Sequence, residues 1–141
     1  MLETIIQAAK NFCQHQIDEP CKEREGATTQ KVFISYIDIQ KSDSSRYRIY
    51  LAAEKALVQK VAQLFLEEDE SDDETLQDMT LETTNLIVGS AKVLAEESDD
   101  AFTIETPKFE KYATIDFNYD EAVTLEIESA DLTLASKELD G

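Results

Sequence analysis

The ten residues KVFISYIDIQ (31–40) carry apolar side chains on both alternating faces: Val32, Ile34 and Tyr36 on one, Phe33, Ile37 and Ile39 on the other. A run so rich in β-branched and aromatic residues makes a strand covered from two sides, and such a strand belongs inside a layered fold. The turn-like KSDSS follows. In the next segment, RYRIYLA, Tyr47, Ile49 and Leu51 alternate against Arg46, Arg48 and Tyr50, so the two runs read as a hairpin.

Helical spacing brackets this hairpin. Leu2, Ile5, Ile6, Ala9, Phe12, Cys13 and Ile17 recur at three- and four-residue steps, which predicts a helix over about residues 2–17. Pro20 and Gly26 punctuate the polar EPCKEREGATTQ, read as a loop. After the hairpin, Ala56, Leu57, Val61, Leu64 and Phe65 restore helical spacing. The acidic EEDESDDE (67–74) lacks the glycine and the alternating ligands of a calcium loop. Ser71 followed by Glu74 suits a capping box, so a third helix is expected over about 72–96, stopped by ESDD.

Beyond it, AFTIE, YATIDFNY, AVTLEIE and DLTLAS alternate with period two, with turns expected at Asn118, Asp120 and Ser129 to Asp131. Val123, Leu125 and Ile127 face one way and Thr124, Glu126 and Glu128 the other, which describes a sheet with one wet face. The element order predicts an α+β fold, a largely antiparallel sheet of about six strands with three helices packed on it. At 141 residues the chain reads as a single domain, 1–141.

Charge narrows the function classes. The net charge is −18, and it is uneven: residues 1–66 carry +1 (9 Lys and Arg against 8 Asp and Glu), residues 67–141 carry −19 (4 against 23). Phosphate backbones are repelled by such a chain, so no nucleic-acid partner is expected. The acidic half is either a face for a positively charged partner or a solvated surface. No apolar run approaches the roughly 20 residues that span a membrane, and the amino terminus lacks a basic leader, so a cytoplasmic protein with no membrane partner and reduced thiols is expected. Cys13, His15 and Cys21 are too few ligands for a metal site. Cys13 belongs to the apolar stripe of the first helix and His15 to its outer side, so no metal is predicted.

The third predicted helix holds the candidate site. At about 100° per residue, Asp78, Glu82, Asn85, Gly89, Lys92 and Glu96 share a sector of roughly 80°, opposite Leu76, Thr80, Ile87, Ala91, Leu94 and Ala95. Glycine inside a helix costs about 0.8–1 kcal/mol relative to alanine, so Gly89 admits a close backbone from a partner, packs closely on the protein's own sheet, or is merely tolerated. Asn85 cannot act as a base, but its amide both donates and accepts and can hold a water in one orientation. Phosphoryl transfer, with its loose transition state, is well served by such a group.

Asp78, Glu82 and Asn85, followed by Pro107, resemble the D/S-x3-E-x2-N-x22-P signature of the CheC/CheX chemotaxis phosphatases, with 21 residues between Asn85 and Pro107. A single copy of the motif resembles CheX more than the two-site CheC. The resemblance implies a CheC/CheX-like fold and a phosphatase that dephosphorylates a phosphorylated CheY-type response regulator in two-component chemotaxis signalling. On that reading Glu82 and Asn85 are the catalytic pair: Glu82 anchors the regulator's lysine and Asn85 orients the attacking water. Asp78 and Gly89 are expected to contact the partner. No cofactor is expected on this chain, magnesium being supplied by the regulator. The resemblance also raises a homodimer formed by strand pairing at a sheet edge. A competing reading is a non-catalytic acidic adaptor that binds a response regulator or motility protein.

Overall fold

The computed structural model describes residues 2–97 and 100–139. Helix α1 (Leu2–Phe12) continues into one π-helical turn, Cys13–Ile17, which ends where Asp18 turns left-handed at φ 61° and donates its N–H to the Cys13 carbonyl. Strands β1 (Cys21–Glu25), β2 (Val32–Lys41) and β3 (Arg46–Glu54) precede helices α2 (Lys55–Leu66) and α3 (Asp73–Glu96). Strands β4 (Phe102–Ile104), β5 (Lys108–Ala113), β6 (Glu121–Ile127) and β7 (Ala130–Leu139) complete the order. One seven-stranded sheet runs β1-β6-β7-β3-β2-β4, with β5 also paired to β2, and every pairing is antiparallel.

The hairpin expected from the doubly apolar run is the β2–β3 pair, in unbroken register from Val32↔Glu54 to Gln40↔Arg46. Its inner side chains, Phe33, Ile37, Ile39, Ile49 and Leu51, meet Ile5 and Phe12 of α1, Leu57 and Val61 of α2, and Leu76, Ile87 and Ala91 of α3 in one core. Each fully buried Ile or Leu there contributes about 1.5–3 kcal/mol by leaving water. The opposite parity, Val32, Ile34, Tyr50 and Ala52, joins Ala135 in a second cluster on the other face.

Four expectations need correction. The segment read wholly as a loop contains β1, whose side chains are half-buried or exposed; only its backbone, paired with β6 from Cys21↔Ile127 to Glu25↔Val123, makes it a strand. With β1 the sheet has seven strands, in keeping with the expected largely antiparallel sheet of about six. The strand expected at YATIDFNY lies earlier, as β5, while residues 114–120 leave the ladder. Their alternation serves the second cluster: Ile115 and Phe117 pack on it, and the Phe117 ring stacks on Tyr50 with centroids 3.8 Å apart.

The face expected to be wet is dry at its centre. Thr124 and Thr133 are fully buried beneath the chain that follows β1, Thr124 donating to the Gly26 carbonyl at 2.8 Å and Thr133 accepting from the Thr28 N–H at 3.0 Å, while Glu126 and Glu128 stay exposed. Finally, the cap of α3 is Asp72, not Ser71. The Asp72 carboxylate accepts from the Thr75 N–H at 2.8 Å, whereas Ser71 is bound to the Gln59 amide at 2.9 and 3.2 Å. The expected ESDD stop includes Ser98 and Asp99, which lie outside the described residues.

Candidate functional site

Helix α3 lies on the sheet through a mixed face of aliphatic, alanine and threonine side chains. Leu76, Thr80, Thr83, Thr84, Ile87, Val88, Ala91 and Ala95 are buried. Each buried threonine satisfies its hydroxyl by donating to the carbonyl one turn earlier: Thr80 to Leu76 and Thr84 to Thr80 at 2.8 Å, Thr83 to Met79 at 2.7 Å. That bonding removes the cost of burying the hydroxyls. The opposite side of the helix presents Asp78, Glu82, Asn85 and Glu96 to solvent, with Gly89 and Lys92 half-buried. The exposed side is wider than the predicted sector, extending to Leu86, Ser90 and Val93.

Between this side of α3 and the segment joining β4 to β5 runs an open groove of about 460 Å³. Asp78, Leu81, Glu82 and Asn85 line it from the helix, and Ile104, Glu105, Thr106 and Pro107 from the segment. The Glu105 N–H donates to the Asp38 carbonyl at 2.9 Å, which pins that segment to β2. Glu105 also meets Arg46 at 3.4 Å, an exposed and weak pair. Among the described residues no side-chain hydrogen bond or ion pair occupies the Asn85 amide or the Glu82 carboxylate. The groove thus offers an unengaged amide beside the carboxylates Asp78, Glu82 and Glu105, a combination that suits a cationic group and a positioned water.

Gly89 stands one turn beyond Asn85. Among the described residues a Cβ placed there would meet nothing within 4 Å outside the helix's own backbone, so close packing on the protein's own sheet is not the reason for this glycine. Cys13 is buried in the core and its thiol is pushed up to about 12, first by burial and then by the neighbouring Cys21. His15 is exposed on the outer side of its helical turn. Among the described residues no group of three His, Cys, Asp or Glu side chains could hold a metal ion, and no helix is long and apolar enough to cross a membrane.

Sequence reasoning missed Ile104, Glu105 and Thr106 as groove residues. Their only signal is adjacency to Pro107, because the contact across the groove joins segments that local periodicity does not relate.

The family model of the chemotaxis phosphatase CheX matches residues 35–127, more than half of the chain. Solved structures share the fold. Chemotaxis protein CheX from Vibrio vulnificus superposes with a TM-score of 0.78 at 17% identity, over 95% of this chain and 94% of that one. A CheC-like superfamily protein from Shewanella sp. PV-4 gives 0.73 at 19% identity, over 96% of each chain. CheX from Borrelia burgdorferi, solved in complex with CheY, BeF3 and magnesium, gives 0.69 at 16% identity, over 97% of each chain. No curated protein matches the sequence.

Proposed function

The chain belongs to the CheX family of chemotaxis phosphatases, and from that premise we propose that it hydrolyses the aspartyl phosphate of a CheY-type response regulator docked over the α3 groove. The observation that carries this reading is the convergence of Asp78, Glu82, Asn85 and Pro107 on one groove, with Asn85 exposed and its amide unengaged.

In this mechanism the Glu82 carboxylate pairs with a lysine of the regulator and so sets the two proteins in register. Asn85 reaches the phosphoryl group, its amide oxygen accepting a hydrogen bond from a water and turning the water's lone pair toward phosphorus. Water attacks in line, the bond between phosphorus and the aspartyl oxygen breaks, and phosphate leaves with the regulator's carboxylate restored. The pair supplies position rather than proton abstraction, since an amide has no basic site near neutral pH. Magnesium stays with the regulator, a placement supported by the Borrelia complex, which contains CheY and magnesium together.

The test is the decay of a phosphorylated CheY-type protein with and without this chain. Wild type is expected to accelerate it catalytically, and Asn85→Ala to lose about 100- to 1000-fold in rate, the usual cost of removing a group that acts at the transition state. An Asn85→Ala protein as active as wild type overturns the assignment. Stoichiometric protection of the phosphoryl group would instead select the adaptor reading.

A further inference from the structure

We propose that the buried hydroxyl pair Ser35–Thr84 is the positioning device of this site, holding α3 at one place along β2 so that Asn85 stands at a set distance from the Pro107 wall. The inference rests on the reading of Asn85 as the water-orienting residue.

Ser35 interrupts the inward face of β2 between Phe33 and Ile37 and pairs in register with Leu51; it is fully buried. Thr84, the residue before Asn85, is fully buried as well, and the two hydroxyls are hydrogen-bonded. Among the described residues this is the one side-chain hydrogen bond between α3 and the sheet. A hydroxyl carries a single proton. Because Thr84 spends its own on the Thr80 carbonyl at 2.8 Å, Ser35 is the donor in the pair.

Alanine at 35 and valine at 84 would fill this place with no hydroxyl that needs a partner, so apolar packing alone does not account for the pair. Apolar packing is non-directional and tolerates small sliding of a helix over a sheet. A hydrogen bond does not: its distance and angle select one axial placement.

The same stretch of β2 also grips the other wall. Ser35 pairs with Phe109 and Tyr36 with Lys108, immediately after Pro107, and the Asp38 carbonyl accepts from the Glu105 N–H. The β2–β5 ladder shifts register between Ile34 and Ser35, so this pairing begins anew at Ser35. Three residues within one short stretch of β2, Ser35, Tyr36 and Asp38, therefore hold both sides of the groove, α3 through a side chain and the Pro107 segment through the backbone.

The experiment uses the full chain carrying Ser35→Ala, Thr84→Val or the conservative Thr84→Ser, with circular dichroism to establish folding. In steady-state decay of the phosphorylated regulator, Ser35→Ala and Thr84→Val are expected to keep KM within about twofold while kcat falls by about 10- to 100-fold, and Thr84→Ser to restore kcat. Hydrogen exchange of the amides at 84–88 should quicken in the two deletions, with β3 and β7 unchanged. Should Thr84→Val fail to fold, Ser35→Ala removes the same bond with less change in volume. Wild-type kcat in the folded deletions overturns the proposal, as does unchanged exchange at 84–88. Faster exchange in a protein whose wild type never hydrolyses the phosphoryl group would uphold the anchor and overturn the phosphatase reading instead.

Discussion

Asn85, in the middle of α3, and Pro107, at the entry to β5, line the same groove although the rest of the helix and all of β4 lie between them in the chain. The 21 intervening residues suffice because β4 returns along β2, antiparallel from Lys41↔Phe102 to Ile39↔Ile104, and brings the proline back beside the helix. The groove is bounded by that return.

Glu82 is expected to govern association more than chemistry. Glu82→Ala should raise KM by about tenfold with a smaller effect on kcat, and Glu82→Lys should raise it further by repelling the same cation. Added salt should weaken wild type more than Glu82→Ala, because one of the screened attractions is already gone. Decay kinetics at several ionic strengths measure this, and equal salt sensitivity in both proteins would remove Glu82 from the docking contact.

Gly89→Ala separates the needs of the fold from those of docking. Among the described residues nothing outside the helix's own backbone meets the added methyl group, so the helix gains about 0.8–1 kcal/mol of propensity, readable as a higher urea midpoint. If the regulator's backbone lies against this position, the same variant binds it several-fold more weakly at unchanged kcat. Greater stability with unaltered KM would place Gly89 outside the footprint.

The far side of the sheet carries a pH-dependent tie. Asp131, at the start of β7, accepts from Arg24 of β1 at 2.7 and 3.3 Å and from the Thr28 hydroxyl at 2.6 Å. Burial works to raise its pKa, but the hydrogen bonds from Arg24 and Thr28 outweigh burial and hold the carboxyl below its ordinary 3.8. A depressed folded-state pKa means the native form prefers the carboxylate, so the tie stabilises fully above the unfolded value and is lost as pH falls through the lower, folded one. Asp131→Asn is expected to lose about 1–3 kcal/mol at neutral pH, with the gap to wild type closing below about pH 4. Urea titrations across that range test it; a gap that persists in acid would assign the effect to packing.

Much of the fold was legible because its signals are local. The doubly apolar run announced β2 as a central strand, and the period of the third helix separated Leu76, Ile87 and Ala91 from Asp78, Glu82 and Asn85 before any contact was known. Strand β1 was illegible because CKERE has no apolar alternation to read: an edge strand with exposed side chains is held by backbone bonds that any residue except proline can make. Residues 114–120 misled for the converse reason. Their alternation reflects packing on the second cluster, and packing of that kind does not require a ladder.

The placing of Glu82 and Asn85 on one exposed face was determined by sequence alone, since residues three apart in a helix are neighbours whatever the rest of the chain does. Pro107 and Glu105 as the facing wall, Ser35 as the partner of Thr84, and the emptiness around Gly89 were decided only by the tertiary structure. Each depends on which strands pair and in what register. That is a property of contacts between distant segments, which no local period encodes.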